Sequence, residues 1–226
     1  MNPFKACLWT ILSMAATSRE VRMRPIHRPM VLLIAAGLLC ASAAFAAKKP
    51  LAGIPLVWKP TTPAAEFGAV DLTGASGVKV EVRTLKDARE KPDLIGENRD
   101  KEDEGIVLTV TTGDDAARFV TDNLKRVWSD AGLDLVESGG DVVVSGELKR
   151  FFVLETSTYQ GDLMLKVEVQ SRGGKVLWAG TAGGTAKRFG RSYKSENYYE
   201  TLSDSLMDAA YKLLQNELFM KALSGR

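Results

Sequence analysis

Few residues in this 226-residue chain could do acid–base, nucleophilic or metal chemistry. The single histidine is His27 and the two cysteines are Cys7 and Cys40, all within the first 40 positions. A chain that loses this leader has no Ser-His-Asp or Cys-His machinery, no Cys/His zinc site, no haem ligation by His or Cys and no structural disulfide. Carboxylates, lysines and all-oxygen metal sites are what remain.

The densest acidic cluster is Asp100, Glu102, Asp103 and Glu104, between Gly96 and Gly105. As a calcium loop it fails. Asp103 occupies the sixth position, where an EF-hand needs glycine, and Thr109 occupies the twelfth, where a bidentate Glu belongs. The cluster reads as a solvated charged loop. A carboxylate enzyme using Asp87 or Glu102–Glu104 is therefore only the third functional reading, and neither a cofactor nor a metal site is expected.

The leader has its own pattern. Arg22, Arg24 and Arg28 make a positive n-region, Met30 to Leu39 is almost wholly apolar, and Ala44-Phe45-Ala46 fits an A-x-A cut before Ala47. The rival reading is a retained membrane helix, since Met30 to Ala46 is an uncharged run, but its length sits at the bottom of the spanning range of about 17–25 residues. The pattern points to a cleaved secretory signal between Ala46 and Ala47, with Met23 or Met30 as candidate starts and nothing in Met1 to Val21 belonging to the fold. Removing residues 1–46 turns a formal net charge of +2 into −2, because five basic residues leave with one acidic residue. The basic balance thus belongs to the export signal, and nucleic acid is not expected as a partner.

Positions 47–77 carry Pro50, Pro55, Pro60 and Pro63 without a sustained period. They read as an extended Pro-rich linker, with Leu56 to Trp58 able to dock as a short edge strand. From Val78 to about Ser224 the chain has the length of one domain with its own core.

Within that domain, Val78, Val80 and Val82 alternate with Lys79, Glu81 and Arg83 as in a half-buried strand, and Ile106 to Thr111 supplies a second. A long mobile loop is expected between them. Thr112 is available to cap a helix whose apolar face is Ala116, Phe119, Val120, Leu124, Val127, Trp128 and Ala131, closed by Gly132 and followed by a strand at Leu133–Val136. Three further strands follow: Val142 to Leu154, Leu163 to Val169, and Val176 to Ala179 after the Arg172-Gly-Gly-Lys175 hairpin turn. A last helix opens at Asn197 with Glu200 three residues on, and buries Leu202, Leu206, Ala210, Leu213, Leu214 and Leu218. The expected class is α+β: a two-layer sandwich of a mostly antiparallel sheet with two helices on one face.

This order of parts resembles the YajG-like family of bacterial envelope lipoproteins over roughly Val78 to Leu223. The likeness lies in Asp87-Ala-Arg89 and Leu94-Ile-Gly96 after the first strand, Ala131-Gly132 closing the first helix, Thr158-Tyr159 in the long hairpin, the Gly173-Gly174 turn, and Asn197 opening the last helix. The resemblance implies an outer-membrane lipoprotein with no catalytic residues to carry over. One departure stands out: a lipoprotein signal needs a small residue before the acylated cysteine, and Leu39 precedes Cys40, with Gly37 where Leu or Val is usual. Cys40 therefore reads as removed with the leader, lipidation being the alternative.

Two surface features could bind a partner. Lys187-Arg188-Phe189-Gly-Arg191-Ser-Tyr193-Lys194 joins the last strand to the last helix with four cations and two aromatic rings; it reads first as a solvated connector with its rings tucked onto the domain, and otherwise as a surface for an anionic lipid or polysaccharide or an acidic envelope protein. Phe151 and Val153 share strand parity with Glu147 and Lys149, which turns them away from the helices, toward a partner or under the Pro-rich linker. The functional expectation is an exported, non-catalytic binding or scaffold module of the periplasm or outer membrane. An accessory subunit of lipid or polymer export is the alternative.

Overall fold

A 14-residue strand, β6 (Val142–Glu155), organises the sheet because three short segments pair in succession along one of its edges. The computed structural model describes residues 49–225, and Cys7, His27, Cys40, Ala46 and Ala47 lie outside them. β1 (Lys79–Val82), β2 (Lys86–Asp87) and β3 (Leu94–Lys101) run parallel to β6, opposite its start, middle and end. β4 (Ile106–Thr111) returns antiparallel to β3, and β5 (Asp134–Val136) runs parallel beside β1. On the other edge of β6, β7 (Thr158–Ser171) and β8 (Val176–Phe189) complete an antiparallel meander.

The class is α+β, as expected, with long antiparallel ladders and short parallel ones. The segment between Arg83 and Ile106, expected as a mobile loop, contains β2 and β3. Polar side chains hid these strands, since β3 reads Leu-Ile-Gly-Glu-Asn-Arg-Asp-Lys.

Three helices cover one face. α1 (Ala116–Ala131) is capped by Asp115, whose carboxylate accepts from the Arg118 amide at 2.9 Å, and not by Thr112. Gly132 ends it in the left-handed conformation at φ 107°. α2 (Ser195–Leu214) has no side-chain cap, because Lys194 stands at the cap position and has no side-chain acceptor; Asn197, expected to open the helix, lies within its first turn and points its amide into a polar cluster. Asn216 then caps a separate α3 (Glu217–Leu223), so Phe219 is buried and Leu218 is left exposed.

Phe151 and Val153 require a correction: both are buried in the core. Strand parity fails because β6 carries a bulge. Leu148 faces Leu165 while Arg150 faces Met164, so Lys149 is the extra residue and every later side chain swaps face. Phe151 packs on Phe119 at 6.0 Å between centroids, beneath the guanidinium of Arg89. That guanidinium is itself buried, held by Asp87 at 2.7 Å and by the carbonyls of Leu94 and Phe151. Burial alone would raise the Asp87 pKa; the Arg89 partner outweighs it and holds the carboxyl below its ordinary range.

The Pro-rich segment is a docked strap and not a tether. Leu51 pairs with β4, donating to the Thr109 carbonyl at 3.1 Å and accepting from Thr111 at 2.9 Å. The chain then crosses to α2, where the Asp204 carboxylate accepts from the amides of Thr61 and Thr62 and from the Thr61 hydroxyl. Phe67 stacks on Tyr211 at 5.0 Å. Proline removes donors that a strand would need, so polar side chains of α2 bind what a ladder otherwise would.

Lys59 on the strap meets Glu196 and Glu200 of α2, and Arg188 of β8 closes on Glu200 from the other side. Burial alone would raise the Glu200 pKa, but Lys59 and Arg188 outweigh it and hold the carboxyl below its usual range. A carboxyl depressed in the folded state contributes stability that is present above its unfolded pKa and lost as pH falls through the folded one. Wild type should therefore melt above Glu200→Gln at neutral pH. The gap should close as pH falls through and below the ordinary carboxylate range, and a gap independent of pH would remove the ion-pair explanation.

Candidate functional site

Where β6 turns into β7, the core ends in polar groups. Glu155 is fully buried, and its carboxylate accepts from the hydroxyls of Tyr159 at 2.8 Å and Tyr198 at 2.6 Å, and from the Tyr193 amide at 3.1 Å. The Tyr159 oxygen also accepts from the amide of Tyr193 at 2.9 Å and from Asn197 at 3.3 Å, and Asn197 donates to Ser192 at 2.5 Å. Burial, reinforced by the Glu155 charge, raises the pKa of all three tyrosines, so their hydroxyls stay protonated and donating. Asn98 is the ladder partner of Glu155; its side-chain oxygen accepts from the Asp100 amide, while its Nδ2 finds no partner among the described residues.

This cluster is sealed. Glu155, Tyr159 and Tyr198 expose no surface, so a substrate cannot reach them. Its effect is mechanical: it fixes the β8–α2 connector, in which Tyr193 holds a positive φ of 46°. The Tyr193 hydroxyl reaches on to the strap, accepting from the Leu51 amide at 3.0 Å. One network thereby ties sheet, connector, α2 and strap together.

The opposite face of the same sheet end is open. Phe189, at the last position of β8 and opposite Thr158, is 95% exposed. Beside it, a cleft of about 440 Å³ is lined by Arg150, Phe152, Leu154, Gln160, Asp162 and Lys187. Arg150 and Asp162 pair across it at 3.0 Å. Apolar floor, exposed ring and charged rim are the ingredients of a contact surface.

The residues expected to bind are divided by this geometry. Lys187 and Arg191 are exposed, the latter 3.6 Å from Asp100. Arg188 turns inward to Glu200, and Tyr193 belongs to the buried network. Phe151 and Val153 are core, so their places on the outer face are taken by their neighbours Phe152 and Leu154. Glu155 carried a visible signal, a carboxylate at the end of an apolar strand, and the bulge hid which way it points.

Among the described residues, no group of three or more His, Cys, Asp or Glu side chains could hold a metal ion, and no helix is long and apolar enough to cross a membrane. The Glu102–Glu104 carboxylates form a surface turn, with Glu102 on Arg99 and Glu104 on Lys101.

No family model and no curated protein matches the chain. Among solved structures, it is similar to a protein of the DUF330 family from Xanthomonas campestris, at 14% identity and a TM-score of 0.46 over 74% of this chain and 90% of that one. It is also similar to a candidate lipoprotein from Caulobacter crescentus, at 8% identity and a TM-score of 0.44, covering 73% of this chain and 100% of the other. The PelC dodecamer from Paraburkholderia phytofirmans aligns at 16% identity and a TM-score of 0.36, over 62% and 90%.

Proposed function

We propose that this chain is an exported, non-catalytic envelope module that binds by contact, using the outer sheet face around Phe189. The observation that carries the reading is a phenylalanine ring 95% exposed at the end of a strand whose following connector is pinned by a buried network. The pinned connector fixes where the backbone presents the ring, and an exposed aromatic ring offers a large apolar area to bury on contact while only two side-chain torsions are ordered. Lys187 in the cleft, with Arg150 paired to Asp162 on its rim and exposed Arg191 two residues beyond the ring, suits a partner with negative charge, an envelope protein or an anionic lipid or polysaccharide.

A photoreactive residue at position 189, used in intact cells, should trap a discrete envelope component, while the same probe at exposed Thr73 should not. Phe189→Glu should abolish the adduct formed from a probe at Gln160 and leave the melting temperature unchanged, because the ring makes almost no intramolecular contact. Recovery of free protomer alone from both probes would overturn the proposal. An adduct with transporter subunits would favour the export-accessory reading.

A further inference from the structure

The two outer edges of the long part of the sheet are treated differently. The edge of β4 is closed by the strap at Leu51 and Ile54. The edge of β8 is not closed by any described strand. The Thr185 amide points outward there, since it donates to Asp208 at 2.8 Å, and two-residue alternation turns the amides of Ala179, Thr181 and Gly183 the same way. Ala179, Thr181 and Gly183 pair with β7 in the same parity as Thr185, so alternation leaves their amides out of the β7 ladder, and all three residues are exposed.

Natural edge strands are normally guarded by charge, proline or covering chain. The strand itself carries neither charge nor proline between Val176 and Ala186, where it reads Val-Leu-Trp-Ala-Gly-Thr-Ala-Gly-Gly-Thr-Ala, and among the described residues only the Thr185 amide is guarded, by Asp208 of α2. Small side chains let a second backbone approach, and the absence of charge lets the strand lie against its own copy without like charges facing each other. We propose that the protein self-associates through this edge, β8 pairing antiparallel with β8 of a second copy about a twofold axis at Thr181. Ala179 then faces Gly183 of the second copy, Thr181 faces Thr181, and Gly183 faces Ala179, exchanging about six backbone hydrogen bonds. Asp208 already occupies the next amide, at Thr185, so the ladder stops short of Lys187.

The pairing leaves the face around Phe189 open on both copies, so it can fail without touching the proposed binding role. Cysteine pairs test its geometry. Hydrogen-bonded antiparallel partners have Cα atoms about 5.5 Å apart, within disulfide reach. In a Cys7→Ser, Cys40→Ser background, Thr181→Cys should give a disulfide-linked dimer on mild oxidation, whereas Gln160→Cys, exposed on the outer face of β7, should form no disulfide link. Sedimentation of the unmodified protein should show twice the protomer mass, and Thr181→Lys should lose that species while its circular dichroism remains that of the folded protein. Protomer alone at all concentrations, or linkage through Gln160→Cys as efficient as through Thr181→Cys, would overturn the pairing.

Discussion

Glu155→Ala should destabilise the protein by about 3 kcal/mol, the cost of leaving buried donors without their acceptor. Two tyrosine hydroxyls, on Tyr159 and Tyr198, lose the carboxylate that each donates to, at a place fully buried in the folded protein. The Tyr193 amide keeps the Tyr159 oxygen as a second acceptor, so its loss is partial. Glu155→Gln, which retains one carbonyl oxygen, should cost less. Urea unfolding reads the difference as a fall in midpoint at constant slope. Replacing donors and acceptor together, with Glu155→Leu, Tyr159→Phe and Tyr198→Phe, should recover much of the loss, because an apolar cluster leaves nothing unpaired. If Glu155→Ala alone moved the midpoint negligibly, the network would not be the clamp described. Hydrogen exchange carries the prediction to function: in Glu155→Ala the amides of Ser192 and Tyr193 should exchange faster, and contact through Phe189 should weaken as its mounting loosens.

How much of this was legible in the sequence depends on what each residue was hiding. Period located α1, its glycine end, the Gly173-Gly174 hairpin and the Leu stripe of α2, because there the apolar pattern and the turn chemistry agree, whereas both N-caps were misplaced, Asp115 and not Thr112 capping α1 and Asn197 capping nothing. The stripe ran one residue too far at Leu218, since Asn216 restarts the helix and turns Phe219 inward instead. Face assignment failed at Lys149. A bulge has no period of its own, and one unseen residue moved Phe151 and Val153 from partner surface to core while exposing the edges of Phe152 and Leu154. Four prolines made the strap look untethered, yet its partners are Asp204 and Ser203, more than 140 residues away, and no local signal announces them. The cation-rich connector looked uniform in sequence; geometry separates it into inward Arg188 and Tyr193 and outward Lys187, Phe189 and Arg191.

The last strand shows the same limit through its glycines, and these yield the second large effect. Gly183 and Gly184 lie in the stretch after Ala179 where a strand looks finished, but β8 runs on to Phe189. The reason is that α2 descends onto the sheet there through small side chains, Thr201, Ser205 and Ala209, each one turn apart. A Cβ at Gly184 would sit 1.9 Å from the Ser205 carbonyl oxygen and 2.7 Å from the Ala209 nitrogen. Those are helix backbone atoms and cannot swing aside, so α2 would have to lift off β7 and β8. Gly184→Ala should cost about 3 kcal/mol, at the upper end of what overpacking one methyl does to a core. Gly183→Ala is the internal control: its new methyl meets nothing closer than 3.8 Å, and replacing a strand glycine should leave stability unchanged or raised by about 0.5 kcal/mol. Thermal melting of the pair separates the two explanations for glycine here. A large loss at position 184 alone means close helix approach, whereas equal losses at both would mean that the strand needs glycine for its backbone.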